Sequence, residues 1–227
     1  MKYKTILIDI DDTLLDFQKS EDLAIRTTIK TLGIDPTEEL VNKYKEINLK
    51  YWKMFERGEI EREALLIARF KEFCEIMNIT HNDFSTLNDT YFYNLSSVPF
   101  EIDGAEDFLK RLSKHYNIYA VTNGVKRVQT KRLSLVNITK YLKKIYISEE
   151  IGFQKPNVEF FDYVLKDLQI TNKEEVLIIG DSLTSDIQGG INSNIDTMWY
   201  NPKGLKSNIK YTYKISKYED FFKFIEA

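Results

Sequence analysis

Four short polar segments of this chain have the residue types that phosphoryl transfer requires. They are Asp9-Ile10-Asp11-Asp12-Thr13, Thr122-Asn123-Gly124, Gln154-Lys155-Pro156-Asn157 and Gly180-Asp181-Ser182-Leu183-Thr184-Ser185-Asp186. Phosphoryl transfer needs a nucleophile in line with the leaving oxygen, a proton source for that oxygen, and positive charge around the equatorial oxygens. The carboxylates, hydroxyls and lysine of these segments can supply all of these groups if the segments meet in one pocket.

The first segment offers two carboxylates two residues apart. Asp9 can act as a nucleophile and form an aspartyl-phosphate, which is a recognised route for carboxylates. Asp11 points to the same side if the chain stays extended, so it can protonate the leaving alcohol and later deprotonate the attacking water. Two carboxylates facing a phosphate dianion would repel it, so a divalent cation is required, and Mg²⁺ prefers carboxylate oxygens and water. Asp181 is the natural further ligand.

The other segments supply groups for the phosphoryl oxygens. Thr122 can donate its hydroxyl and Asn123 a main-chain N–H, while Lys155 supplies fixed positive charge. Each signal also has an ordinary structural explanation: acidic clusters after strands are often solvated turns, and Asp181 and Asp186 could cap a helix. The ordered set of four favours catalysis over these separate explanations.

Strand and helix signals alternate in the parts of the chain that hold these segments. Strands are predicted over 5–10, 118–122, 145–148, 176–180 and 197–200, and helices over 105–115, 125–136, 158–168, 185–192 and 218–225. This alternation predicts an α/β fold with a doubly wound parallel sheet and helices on both faces. Ligands bind beyond the carboxyl ends of the strands in such a sheet, where the polar segments lie.

A helical insertion follows the first segment. Apolar residues recur three and four apart over 20–32, 37–57, 61–77 and 82–95, with stop or start signals at Gly33, Pro36 with Thr37, and Gly58. We therefore expect residues 1–15 and 102–227 to form the catalytic core and residues 16–101 to form an inserted all-helical cap.

In residue type, order and sheet position the four segments resemble the motifs of the haloacid dehalogenase superfamily, in its phosphatase branch, whose fold is a Rossmann-like core with a cap. The stretches 147–152 and 186–192 are similar to those of bacterial house-cleaning pyrimidine 5′-nucleotidases. The resemblance covers essentially the whole chain. It implies that Mg²⁺ is held by the Asp9 side chain, the Asp11 main-chain carbonyl and Asp181, with Asp186 acting mostly through water.

The resemblance implies hydrolysis of a nucleoside 5′-monophosphate, a pyrimidine nucleotide before others, with the cap closing over base and sugar. A phosphatase for phosphoglycolate or sugar phosphates stays open, because the cap reads the leaving group, and so does a phosphomutase. A dehalogenase is disfavoured because the related dehalogenases lack an acid/base carboxylate at the position of Asp11 and use no magnesium. A non-catalytic binding module is disfavoured because no functional group is missing.

Composition narrows the function classes further. The chain has 227 residues, a formal net charge of −3 and one cysteine, Cys74. A negative net charge argues against binding a nucleic acid polymer, which requires a basic surface. A single cysteine excludes an internal disulfide and a cysteine-rich zinc site. We expect a cytoplasmic protein without a signal peptide or membrane span, acting on a small phosphate ester as a monomer or homodimer.

Several other residues of reactive or aromatic type receive structural interpretations. Aromatic side chains of the insertion could stack on a nucleobase, but aromatic residues at helical spacing more often pack helices together. These residues are Tyr51, Trp52, Phe55, Tyr91, Phe92 and Tyr93. Cys74 is expected to be a small buried apolar side chain. His81 and His115 have no partners at metal-ligand spacing, so we expect surface or capping roles for both.

Overall fold

The structure is a computed structural model that describes residues 2–225. Within this range the chain divides into two compact units, one formed by residues 2–16 and 100–225 and the other by Phe17–Pro99. The first unit contains a six-stranded sheet, and the second is built from helices. No helix among the described residues is both long and apolar enough to cross a membrane.

The helical unit contains α1 (Phe17–Thr31), α2 (Glu38–Glu56), α3 (Arg62–Ile76) and α4 (Phe84–Ser97). Helix α1 packs against α4, and α2 against α3. Side-chain caps start two of these helices: Thr37 Oγ1 accepts a hydrogen bond from Leu40 N at 3.4 Å, and Asp83 Oδ1 accepts one from Thr86 N at 3.0 Å. The capping residues satisfy backbone donors that have no partner inside the helix.

Aromatic rings fill the interior of the helical unit. The ring of Tyr44 lies 5.0 Å from that of Phe70 and 5.3 Å from that of Tyr91, and all three side chains are buried. Phe55 and Phe92 are also buried, whereas Tyr93 is 73% exposed. Cys74 is buried and free, as its surroundings in the sequence predicted. Most of the buried aromatics therefore serve helix packing.

The sheet of the first unit is entirely parallel, which confirms the predicted α/β class. Its strands are β1 (Thr5–Ile8), β2 (Asn117–Thr122), β3 (Lys144–Ile147), β4 (Val176–Gly180), β5 (Asp196–Tyr200) and β6 (Tyr213–Ile215), in the spatial order β3-β2-β1-β4-β5-β6. The order runs outward in both directions from the neighbouring pair β1 and β4. This pair is the topological switch point, next to which doubly wound sheets bind their ligands.

Helices cover both faces of the sheet. They are α5 (Ala105–Leu112), α6 (Lys126–Ser134), α7 (Ser148–Ile151), α8 (Val158–Asp167), α9 (Gln188–Asn192) and α10 (Glu219–Ile225). Ile6 and Ile8 of β1 pack into a cluster that includes residues of α5 and α10, whereas Leu7 packs into a second cluster with residues of α8. Because successive side chains of a strand point to opposite faces, a strand covered on both faces is apolar throughout.

The structure differs from the sequence prediction in a few short segments. Strand β1 ends at Ile8 and not at Ile10, because the Ile10 carbonyl accepts hydrogen bonds from Leu14 N and Leu15 N and the chain turns there. The helix predicted over 185–192 begins with a π-helical turn at Leu183–Ile187. Helix α7 and strand β6 were not predicted, since elements of three or four residues are too short to show a period.

We expect Phe108→Ala to lower the free energy of unfolding by about 3–5 kcal/mol, as is typical for truncation of a buried phenylalanine. The Phe108 ring is 3% exposed and stacks on Tyr218 with ring centroids 4.6 Å apart. Urea denaturation followed by circular dichroism measures the loss. The matched control is Phe224→Ala, because that ring is 51% exposed; its cost should stay below about 1 kcal/mol. Equal losses in the two variants would contradict this account of the packing.

Candidate active site

The four polar segments meet at the carboxyl edge of the sheet. Asp9 follows β1, Thr122 ends β2, and Asp181 follows β4, so these three side chains start from neighbouring strands. Backbone pairing continues one residue past β1, because Asp9 N donates to Ile179 O at 2.9 Å. The pairing of β1 with β4 therefore fixes the position of the Asp9 backbone at the carboxyl edge of the sheet.

Lys155 joins the segments at the centre of the site. Its Nζ lies 2.6 Å from Asp9 Oδ1 and 2.6 Å from Asp186 Oδ1, and it also donates to Val121 O at 2.9 Å. A lysine ammonium has three donors, so these three oxygens satisfy it fully. The Lys155 side chain is 2% exposed. Its charge is consequently held in one position, away from bulk water.

Asn123 holds the backbone of the lysine loop against the end of β2. Its Oδ1 accepts a hydrogen bond from Lys155 N at 2.9 Å, and its Nδ2 donates to Lys155 O at 2.8 Å. This paired contact leaves the main-chain N–H of Asn123 as the group available for the predicted contact with phosphate. The side chain of Asn123 thus has a structural role that the sequence did not reveal.

Three carboxylates lie around this lysine. Asp9, Asp181 and Asp186 each offer an oxygen, and these three atoms lie within 4.8 Å of one another. Oxygen donors of this kind are the ligands that Mg²⁺ prefers, and three carboxylates beside one ammonium leave an excess of negative charge. The donor set therefore fits the metal that the sequence predicted.

Burial determines the charge balance of this group. It raises the pKa of Asp9 to about 8, with the charges of Asp186 and Asp11 adding to the rise and Lys155 opposing it. Burial likewise raises the pKa of Asp181 well above its usual value, helped by the charge of Asp9. Burial lowers the pKa of the Lys155 ammonium, but the negative charges of Asp186 and Asp9 outweigh this effect and raise that pKa above its usual value. Lys155 therefore stays protonated. Asp9 and Asp181 need further positive charge beside them to stay ionised near neutral pH.

Asp181 is positioned by residues from both ends of the sequence. Its N–H donates to Thr13 Oγ1 at 3.1 Å, and its carbonyl oxygen accepts a hydrogen bond from Trp199 Nε1 at 2.8 Å. The backbone of Thr13 is held in turn, because Tyr218 OH donates to its carbonyl oxygen at 2.7 Å. Sequence reasoning missed Trp199 and Tyr218, which look like ordinary core aromatics.

Asp186 packs unusually close to the backbone of β4. A Cβ atom built on Gly180 would lie 2.3 Å from Asp186 Cγ, so only glycine leaves room for this carboxylate. Asp186 Oδ1 contacts Lys155, and Asp186 Oδ2 accepts a hydrogen bond from Ser182 N at 3.1 Å. Both oxygens have protein partners, which favours the expectation that Asp186 acts on a metal through water.

Asp11 faces a different set of partners from those of Asp9. Its Oδ1 forms an ion pair with Arg132 Nη1, and its Oδ2 accepts a hydrogen bond from Gln129 Nε2 at 2.9 Å. The Asp11 side chain is 27% exposed. Thr122 adjoins this network, since its Oγ1 accepts hydrogen bonds from Gln129 Nε2 at 2.9 Å and Gly124 N at 3.0 Å.

Gln129 and Arg132 were not predicted as site residues. Both lie on α6 and are 1% exposed, although that helix also contains several exposed basic residues. Their spacing of three places them on one helix face. This spacing is the signal that could have drawn attention to them, but it does not distinguish a buried polar pair from a solvated one.

The two histidines lie outside this group of residues. His81 is partly exposed and His115 is exposed.

Comparisons with known proteins agree with this architecture. The model of the haloacid dehalogenase-like hydrolase family matches residues 6–200. Pyrimidine 5′-nucleotidase PynA of Streptococcus pneumoniae is 36% identical over 97% of this chain and 94% of its own length. Pyrimidine 5′-nucleotidase YjjG of Escherichia coli is 30% identical over 88% of this chain and 87% of its own.

A solved structure matches this chain over its whole length. The crystal structure of the HAD-hydrolase YfnB from Bacillus subtilis, bound to magnesium, matches with a TM-score of 0.93 at 37% identity and covers 100% of both chains. The family match spans both units, and the relatives align over nearly their whole lengths. This chain therefore belongs to the haloacid dehalogenase-like hydrolase family and is an enzyme.

Proposed function

We propose that this hydrolase cleaves phosphate monoesters through an aspartyl-phosphate on Asp9, with Mg²⁺ as its metal and pyrimidine nucleoside 5′-monophosphates as its preferred substrates. The observation that supports this most directly is the placement of Lys155 Nζ at 2.6 Å from both Asp9 Oδ1 and Asp186 Oδ1. It brings a nucleophile, a fixed cation and a metal-binding carboxylate into one site.

In the first step a carboxylate oxygen of Asp9 attacks phosphorus while the bond from phosphorus to the ester oxygen breaks. Asp11 gives its proton to the departing oxygen, so the alcohol leaves neutral. In the second step Asp11 takes a proton from water as that water attacks the aspartyl-phosphate, which releases inorganic phosphate and restores Asp9. The partial exposure of Asp11 suits this role, because the water of the second step must reach its carboxylate.

The phosphoryl oxygens require donors and positive charge during both steps. Thr122 Oγ1 and the main-chain N–H of Asn123 are the donors at the end of β2, and Lys155 supplies a buried ammonium. Bound Mg²⁺ would neutralise charge on the carboxylates and the phosphoryl group, held by the side chains of Asp9 and Asp181 and the main-chain carbonyl of Asp11, with Asp186 acting through water.

Nucleotides are the favoured substrate class because PynA and YjjG bear the name pyrimidine 5′-nucleotidase and align with most of this chain. The groups described at the carboxyl edge of the sheet all concern phosphate, so they leave phosphoglycolate and sugar phosphates as rivals. A phosphomutase would share Asp9 and Asp11 but would pass the phosphoryl group to a second hydroxyl. Product analysis separates these possibilities.

A phosphate-release screen tests the substrate class. We expect kcat/KM to be at least about ten-fold higher for UMP and dTMP than for phosphoglycolate and sugar phosphates, a difference of about 1.4 kcal/mol in transition-state binding. Assays without Mg²⁺ serve as the control and should release little phosphate. A higher kcat/KM for sugar phosphates would reject the nucleotidase assignment, and accumulation of an isomerised ester would indicate a mutase.

Asp9→Asn should lower kcat by more than about 10³-fold, since an amide cannot form the acyl-phosphate. The fold should survive, because the amide oxygen of Asn can still accept the hydrogen bond from Lys155 Nζ, and Lys155 keeps its ion pair with Asp186. Steady-state assays and thermal unfolding measure the two effects. Asp103→Asn makes the same chemical change at an exposed position and should behave as the wild type. Full activity in Asp9→Asn would remove this residue from the mechanism.

Asp181→Asn should raise the Mg²⁺ concentration for half-maximal activity by about ten-fold or more, because one of the two carboxylates proposed to contact the metal directly is lost. A second readout does not depend on turnover. Mg²⁺ should raise the melting temperature of the wild type, since it binds only where the carboxylates are assembled, and this rise should shrink in the variant. An unchanged Mg²⁺ dependence in both measurements would contradict the ligand assignment; Asp103→Asn is again the control.

A further inference from the structure

We propose that Gln129 is a positioning residue for phosphoryl transfer, orienting the Thr122 hydroxyl and the Asp11 carboxylate at the same time. The inference rests on the proposed function, because it concerns the two groups assigned to the phosphoryl oxygens and the leaving oxygen. Gln129 is 1% exposed and lies between them. Its amide nitrogen Nε2 is 2.9 Å from Thr122 Oγ1 and 2.9 Å from Asp11 Oδ2.

Arg132 determines which way the Gln129 amide faces. Arg132 Nη1 donates to Gln129 Oε1 at 3.0 Å and also forms the ion pair with Asp11. A guanidinium can only donate, so it selects the carbonyl oxygen of the amide and turns Nε2 towards the active site. The two protons on Nε2 then match the two acceptors, Thr122 Oγ1 and Asp11 Oδ2.

The contact with Thr122 directs the proton of its hydroxyl. A hydroxyl has two acceptor positions and one donor. Gln129 Nε2 and Gly124 N, at 2.9 and 3.0 Å, occupy both acceptor positions of Thr122 Oγ1. The hydroxyl proton is thereby left to donate outward, which is the role that a phosphoryl oxygen requires. Without Gln129 one acceptor position of the hydroxyl would lose its donor, and the direction of the hydroxyl proton would no longer be fixed.

Gly124 provides the space that Gln129 occupies. A Cβ atom built on Gly124 would lie 2.7 Å from Gln129 Cγ, Cδ and Nε2. A side chain at position 124 would therefore displace the end of the Gln129 side chain, which carries the donor to both acceptors. The close approach gives a physical reason for glycine directly after Thr122 and Asn123, and it provides a second, independent way to disturb Gln129.

The test compares two leaving groups in Gln129→Met, which keeps the approximate volume of the side chain but removes its donor. The two substrates are p-nitrophenyl phosphate, whose phenolate leaves without a proton, and the best alkyl phosphate substrate of the wild type. We expect kcat/KM to fall at least about ten-fold more for the alkyl ester, because only that ester needs Asp11 as an acid. Since kcat/KM reports steps up to departure of the leaving group, later hydrolysis does not affect the comparison.

A purely structural role would lower both values equally, and that result, or no loss at all, would overturn the proposal. Lys131→Gln, an exposed change on the same helix, is the control and should leave both values unchanged. Thermal unfolding of each variant shows whether the fold persists. A wild type that releases phosphate from neither ester would reject the proposed function itself, and the positioning role with it.

A pair of variants tests the same geometry without Gln129→Met. Gly124→Ala alone should shift the leaving-group ratio in the same direction as Gln129→Met. Gln129→Ala removes the long side chain that Gly124→Ala would displace. Adding Gly124→Ala to this variant should therefore lower kcat/KM for the alkyl ester by less than about a further two-fold. Such non-additivity is expected of residues in contact. Independent, multiplicative losses would show that Gly124 does not act by making room for Gln129 and would overturn the proposal.

Discussion

The contact of one buried ammonium with two buried carboxylates is the interaction on which the rest of this site depends. Lys155 lies 2.6 Å from Asp9 and 2.6 Å from Asp186, and the exposed fractions of the three side chains are 2%, 9% and 1%. Charges removed from water are tolerated only when paired and hydrogen-bonded, and removal of one partner typically costs about 3–5 kcal/mol. The site therefore cannot be assembled from any one of its segments alone.

This requirement explains the supporting contacts. Asn123 fixes the backbone of the lysine loop, Thr13 and Trp199 fix Asp181, and Gly180 leaves room for Asp186. None of these residues needs to touch a substrate to matter. They hold charged groups at hydrogen-bonding distances, where attraction offsets part of the cost of burial, and parallel strands make this possible by ending at the same edge of the sheet.

Much of this arrangement could be predicted from the sequence because it depends on strand ends. The apolar runs before Asp9, Thr122 and Asp181 locate three neighbouring strands, and residues that follow parallel strands share one edge. The partners of Asp11 could not be predicted in this way. Gln129 and Arg132 lie on a helix rich in exposed lysine and arginine, and only the packing of that helix shows that these two face inward. Burial of polar side chains is a tertiary property that periodicity does not reveal.

The two carboxylates of the first segment show how surroundings assign roles. Asp9 and Asp11 are the same residue type two positions apart, yet Asp9 contacts a buried ammonium, whereas Asp11 contacts an arginine and a glutamine and is 27% exposed. A buried carboxylate held by lysine is fixed in direction, which suits attack along one line. A carboxylate that reaches solvent can gain and lose a proton in each turnover, which suits acid and base work. The turn after Ile10 creates this difference, because it ends β1 before Asp11 and directs that side chain towards α6.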